Sequence, residues 1–150
     1  MSDKISAAVR SQNMAAIKSK DTTPELYIRK RLFKLGYRYR KNYAGIIGHP
    51  DIWLRKYNTA IFIHGCFWHR HKNCKYAYTP KSRKDFWRTK FERNIARDKE
   101  VFLKLEQQGI RVLIIWECTV KKMQKSDAVE SMYFDKIVSF LNSEETYLER

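Results

Sequence analysis

No run of about 18 apolar residues occurs in the 150-residue chain, which excludes a transmembrane helix. The first 20 residues are polar and basic and lack the apolar stretch of a secretory signal, so the expected compartment is the cytoplasm. Repeats and low-complexity segments are absent, and glycine and proline are few, at 5 and 3 residues. Cysteine is limited to three residues. In a chain without an export signal, that argues against a disulfide framework. A hydrophobic content of 43% with 14% aromatics excludes disorder. The length fits one domain, which at this size buries roughly 68–70% of its unfolded surface.

Acidic residues are also scarce, with 16 Asp and Glu against 31 Lys and Arg, giving a net charge of +15 and a pI near 9.9. The excess is uneven. Residues 1–100 hold 24 basic and 8 acidic side chains, and residues 101–150 hold 7 and 8. A basic surface confined to the first two thirds points to a polyanion, nucleic acid ahead of an anionic membrane surface. The alternative is a domain that is basic without a polyanionic partner. Aromatics interleave with the charge (Tyr37, Tyr39, Tyr43, Trp53, Phe67, Trp68, Tyr76, Tyr78, Phe86, Trp87), as where bases stack on rings, although many will be core.

The order of elements reads as a mixed α/β or α+β unit. Thr22 and Glu25 are spaced as a capping box with Pro24 in the first turn, and Ile28, Leu32 and Leu35 form a stripe ended by Gly36. The alternation over Tyr37–Tyr43 predicts a half-exposed strand, followed by a turn over Gly45–Pro50. Asp51–Leu54 and Thr59–His64 predict two further strands, so that the three form a meander. A long helix over Ser82–Gln108 carries Trp87, Phe91, Ile95, Phe102 and Leu105, with Gly109 as its stop. The continuous apolar run Ile110–Trp116 predicts a strand buried on both faces. A last helix over about 127–141 uses Val129, Met132, Tyr133, Ile137 and Phe140, and the tail after Ser143 is expected to fray.

Chemistry concentrates in Ile63–Cys74, which holds three of the four histidines and two of the three cysteines. Zinc takes four soft or borderline ligands in a tetrahedron. Cys66, His71 and Cys74 supply three from one loop, and Cys118, just past the buried strand, is the candidate fourth. The competing reading is three unrelated buried thiols. His69 is left free of the metal, because as a ligand it would leave only two residues between itself and Cys66. A four-ligand zinc is structural, so hydrolysis needs other groups. Phosphodiester cleavage calls for a carboxylate-held Mg²⁺ and a group near neutral pKa, for which Asp51, His64, His69 and Glu25 are the candidates. Asp51 and His64 are expected at one sheet edge. Each has a plainer alternative: Asp51 closing a turn, Glu25 capping its helix, His64 as a satisfied strand-end residue.

Phe62-Ile63-His64-Gly65-Cys66-Phe67-Trp68-His69 carries a resemblance, together with Arg10–Met14, His49-Pro50-Asp51, Phe86-Trp87, Asn94–Asp98 and Arg111–Cys118. Over about Ser11 to Cys118 the chain resembles the very-short-patch repair (Vsr) mismatch endonucleases. The resemblance implies a restriction-endonuclease-like αβββαβ core with a structural zinc site. It implies a Mg²⁺-dependent activity that nicks one strand 5′ of the thymine in T·G mismatches left by 5-methylcytosine deamination. It makes Asp51 a Mg²⁺ ligand alongside the Ile63 backbone carbonyl, His69 the general base toward the water and His64 the support of the phosphate or metal-bound water, with Glu25 completing the polar site. Cys66, His71, Cys74 and Cys118 become the Zn²⁺ ligands, in agreement with the spacing. Phe67, Trp68 and Trp87 become an aromatic wedge beside the mismatch, and Met14 its minor-groove counterpart.

The same resemblance implies one endonuclease domain over residues 1–150, with a mobile DNA-contacting arm over about 1–20 and a C-terminal helix over about 127–141. It further implies double-stranded DNA with a T·G mismatch as partner, a monomer, and MutL as a candidate repair partner. Two departures from the family stand out, Ile63 where Thr is expected and a loop from Arg70 to Cys74 that is one residue longer; the restriction-type lysine is also absent, with His64 in its approximate place, which departs from the wider superfamily and not from this family. The alternatives are a restriction-type nuclease on paired DNA, against which the wedge argues, and a zinc-containing DNA-binding module without catalysis.

Overall fold

The computed structural model describes residues 21–150; Met14 and the expected N-terminal arm lie outside the described residues. Helix α1, Thr23–Lys34, starts where the capping spacing predicts, with the Thr22 amide donating to Glu25 Oε2 at 3.3 Å. Ile28 and Leu32 are fully buried, whereas Leu35 lies past the helix end and is 44% exposed. Strand β1 is only Arg40–Lys41, much shorter than the alternation suggests. The surrounding tyrosines pack by their rings instead, Tyr37 and Tyr39 against the core and Tyr43 stacked at 6.3 Å on Trp53.

Strands β2 (Ile52–Leu54) and β3 (Thr59–His64) form with β1 the antiparallel meander. A 3₁₀ turn over Arg55–Tyr57 joins β2 to β3, and Asn58 takes the left-handed φ of 50° that the tight return needs. Helix α2 (Lys84–Gln107) leads to β4 (Arg111–Trp116), which lies parallel to β3 with Ile63 opposite Ile115 and His64 opposite Trp116. Gly109 caps the turn between them at φ 73°.

Two elements escape the sequence reading. Helix α3, Glu117–Lys125, starts directly at the end of β4, ahead of helix α4, Asp127–Leu141. The tail does not fray: Tyr147–Glu149 forms β5, parallel to β4, completing a five-stranded sheet in the order β1-β2-β3-β4-β5. Arg111 holds this return in place, donating from Nε to the Glu145 carbonyl at 2.8 Å and from Nη1 to the Leu141 carbonyl at 3.2 Å.

Alternate residues of the sheet face two apolar clusters. Ile61, Ile63, Leu113 and Ile115 pack against α1, α3 and α4, while Phe62, Val112, Ile114 and Trp116 face Leu105 of α2 and the loop after β3. This explains why β4 reads as a continuous apolar run. Helix α2 buries only Phe91 and Leu105, and Ile95 is 37% exposed. No helix among the described residues is long and apolar enough to cross a membrane.

Candidate active site and metal centre

The end of β3 and the loop it feeds carry most of the candidate chemistry. Asp51 enters β2 beside this end: its Oδ2 accepts the Ile63 amide at 2.7 Å. Burial pushes the Asp51 carboxyl up to about 7, and the adjacent Glu25 carboxylate adds to the rise, against the Ile63 amide and Arg29, which oppose it. Glu25 is itself buried and contacts Arg29 Nη2 at 3.3 Å. Arg29, also buried, reaches Asp21 at 2.7 Å and Asn42 Oδ1 at 3.3 Å. Arg29 thus pairs with Glu25 and Asp21, while Asp51 and Glu25 stand side by side as neighbouring carboxyl groups. The oxygen-only donor set of Asp51 and Glu25 suits a hard divalent cation, which when bound would favour the ionised Asp51 carboxylate over its burial penalty. Glu25 also caps its helix, so the plainer reading of this residue is correct as far as it goes.

One residue past Ile63 on β3, His64 is buried at 5% exposure and stacks face to face on His69, with centroids 3.8 Å apart and planes within 6°. Burial first, and then the adjacent His69 ring, hold the His64 imidazole down at about 3, and Asp98 only partly offsets this. His64 is therefore neutral at physiological pH. His69 is more open, and its Nδ1 lies 2.7 Å from Asp98 Oδ2 on α2. The ligand-type atoms of His64, His69 and Asp98 lie within 4.8 Å of one another, a cluster that does not include Asp51. Asp51 is anchored one residue away, through the Ile63 amide. The loop bearing His69 is further tied to α2 by Asn94, which donates to the Trp68 carbonyl at 3.0 Å.

The sulfur cluster assembles as its spacing suggests. Cys66, His71, Cys74 and Cys118 bring one ligand atom each within 4.8 Å of the others. His71 Nδ1 lies 3.4 Å from Cys118 Sγ, and its ring stacks on Trp116 at 4.1 Å. Burial pushes the Cys66 thiol up to about 12, with Cys118 and Cys74 as close sulfur neighbours. Burial also lowers the His71 pKa, leaving the neutral imidazole that a metal requires. Three crowded thiols and a neutral imidazole fit a tetrahedral Zn²⁺. Cys118 is offered by the first turn of α3, so this centre joins the β3 loop to the β4–α3 junction.

Beyond it lies an aromatic group. Phe67 meets Trp68 edge to face at 5.1 Å and Trp87 at 5.4 Å, and Trp68 and Trp87 are 5.8 Å apart. All three are half-buried. From Ile52 to Lys84 no Asp or Glu occurs, so this loop presents an uninterrupted basic segment. The sequence reading did not single out Asp98, Asn94 or Arg29 for a role. Two signals point to Asp98: it closes the Asn94–Asp98 segment that carries the resemblance, and a histidine serving as a base needs an acceptor on its other nitrogen.

Comparison with known proteins agrees with this picture. A family model described as DNA mismatch endonuclease Vsr matches residues 2–76. The chain is 46% identical over 121 residues to the type II nicking enzyme V.NmeAIP of Neisseria meningitidis serogroup A, covering 81% of this chain and 86% of the relative. It is 38% identical over 128 residues to the type II nicking enzyme V.XorIIP of Xanthomonas oryzae, covering 85% and 93%. It is 38% identical over 125 residues to the DNA mismatch endonuclease Vsr of Escherichia coli, covering 83% and 80%. The chain belongs to the Vsr family of DNA mismatch endonucleases, and it is a DNA endonuclease.

Proposed function

We propose that this endonuclease nicks one strand on the 5′ side of the thymine in T·G mismatches, with Mg²⁺ as the catalytic ion and Zn²⁺ as a structural one, and so starts very-short-patch repair. The observation that carries the reading is the His69–Asp98 contact of 2.7 Å, stacked on a neutral His64 next to the carboxylate anchored at Ile63. With Nδ1–H donating to Asp98, His69 presents Nε2 as a free acceptor. His69 takes the proton of the attacking water at that atom, and Asp98 steadies the imidazolium that forms. His64 fixes the plane of His69 by stacking and, being neutral, keeps one ring N–H to offer a phosphate oxygen.

Asp51 and the Ile63 backbone carbonyl are the oxygen donors assigned to Mg²⁺, which when bound offsets phosphoryl charge in the transition state. Glu25 and Arg29 set the electrostatics around Asp51. Cys66, His71, Cys74 and Cys118 are assigned to Zn²⁺. With all four positions filled by protein, that ion supplies folding energy to an otherwise irregular loop and no hydrolysis. Phe67, Trp68 and Trp87 serve as a wedge in the base stack, where unstacking is least costly at a mismatch. Met14 belongs to the same reading. So do a restriction-endonuclease-like core, a single domain with an N-terminal arm, a monomer acting in the cytoplasm, and MutL as a repair partner.

The test is Asp51→Ala, with mismatch nicking and duplex binding measured side by side. Loss of nicking with binding retained supports the assignment. Undiminished nicking removes Asp51 from the site.

A further inference from the structure

Between the wedge and α2, the loop contains one tightly held charge. Arg70, at φ 55°, turns its guanidinium back onto its own loop. Nη1 donates to the carbonyls of Phe67 at 3.2 Å and Tyr78 at 3.1 Å, and Nη2 donates to the Ala77 carbonyl at 2.9 Å and Thr79 Oγ1 at 3.2 Å. Its Cζ lies 3.9 Å from the centre of the Phe91 ring. With both terminal nitrogens occupied and one face covered, Arg70 is a clasp between the wedge loop and residues 77–79, not a phosphate contact.

What the clasp holds is unusual. Tyr78 is 64% exposed, the most exposed large hydrophobic side chain among the described residues. Its ring sits 5.1 Å from Phe67, tilted by 40°, so it extends the Phe67–Trp68–Trp87 group outward. A ring held this openly, on a segment gripped at the Ala77 and Tyr78 carbonyls and the Thr79 hydroxyl, adds little to the core. It is, however, preorganised for a flat partner. The surrounding side chains are cationic: Lys72, Lys75 and Lys81 are exposed nearby, and no carboxylate interrupts the segment.

We propose that Tyr78 is a DNA-stacking residue, a fourth ring that packs on a base or sugar flanking the wedge, and that Arg70 is its positioning residue. This rests on the mismatch-nicking reading above. The contact is non-ionic and reads no base edge, so it acts on affinity without setting sequence preference.

The test compares full-length wild type with Tyr78→Phe, Tyr78→Ala and Arg70→Gln on one T·G duplex. Binding is measured across a salt series, along with single-turnover nicking, zinc content and melting temperature. Tyr78→Phe is expected to match wild type. Tyr78→Ala is expected to bind about 5- to 150-fold more weakly, the range set by loss of one aromatic stack. Its log K against log salt slope, zinc content and melting temperature should be unchanged. Arg70→Gln weakens binding in the same direction. A 2-aminopurine placed beside the mismatch should change emission on binding wild type and respond less to Tyr78→Ala.

Undiminished binding by Tyr78→Ala while wild type nicks the duplex overturns this proposal alone. So does a loss of binding that tracks a fall in melting temperature or zinc. A wild-type protein that neither binds nor nicks the T·G duplex overturns the underlying reading and this proposal with it.

Discussion

Asp51→Asn should make the Mg²⁺-free protein more stable at alkaline pH, because the wild-type carboxylate is held against its preference. The Asp51 carboxyl titrates near 3.8 in the unfolded chain and is pushed up to about 7 in the folded one, chiefly by burial and then by Glu25. Between these values the folded state holds a proton that the unfolded state has released. Wild-type stability therefore falls as pH rises through this window. At 1.36 kcal/mol per unit, a rise of this size sets a ceiling of about 4 kcal/mol, reached above pH ~7.

Asparagine mimics the protonated acid: its oxygen still accepts the Ile63 amide, and its NH₂ faces Glu25. The variant should already exceed wild type by about 1.6 kcal/mol at pH 5, and the gap should widen to about 4 kcal/mol by pH 8. The assay is urea unfolding in Mg²⁺-free buffer between pH 5 and 8, above the range where acid protonates zinc-binding thiolates. Adding Mg²⁺ at about 100 times its Kd should return about 2.7 kcal/mol to wild type and little to the variant. Parallel pH–stability curves for the two proteins would refute the argument that Asp51 is an electrostatically strained site awaiting a cation.

Three further outcomes follow from other parts of the structure. Asp98→Asn removes the acceptor that orients His69 and should lower single-turnover nicking at least tenfold, within the roughly 10²–10⁴ that a general base contributes; binding unchanged and rate unchanged would exclude Asp98 from the mechanism. Cys118→Ala should lower melting temperature and zinc content together, as read by thermal unfolding and metal analysis, and a stable variant with full zinc occupancy would remove Cys118 from the ligand set. Deleting residues 144–150 takes away β5 and its bonds from the Arg150 amide to the Ile114 carbonyl and from the Trp116 amide to the Arg150 carbonyl, at 3.0 and 2.8 Å. A loss of about 2–3 kcal/mol in urea unfolding is expected from a few net hydrogen bonds of about 1 kcal/mol each; an unaffected midpoint would mean the tail frays.

The sequence is most legible where one local pattern has one structural solution. Ile110–Trp116 is apolar on both faces because it lies between two helical layers, and its strand is found at Arg111–Trp116. The spacing of Cys66, His71 and Cys74 leads to the ligand cluster because a single loop can bring these atoms together, and Cys118 joins from the end of the adjacent parallel strand. Legibility fails where long-range geometry decides. Tyr147–Glu149 has too little apolar content to announce a strand, and it forms because Arg111 draws the chain back along β4. Ile95 and Met132 have helical spacing but face solvent, at 37% and 43% exposure, since their helices meet the sheet over only part of their length. Asp98 lies 29 residues from His69, and no local pattern links a helix carboxylate to a loop imidazole at that distance.

The proposed repair role depends on strand-specific action at T·G. The most direct measurement uses purified protein with Mg²⁺ on end-labelled duplexes carrying T·G, C·G or T·A at one position, in several flanking contexts. A single nick immediately 5′ of the mismatched thymine, absent from the paired duplexes and abolished by EDTA, is expected. Cutting of paired DNA at a fixed sequence would contradict it in favour of a restriction-type activity. Salt-dependent binding with no cleavage in any context would contradict it in favour of a non-catalytic module.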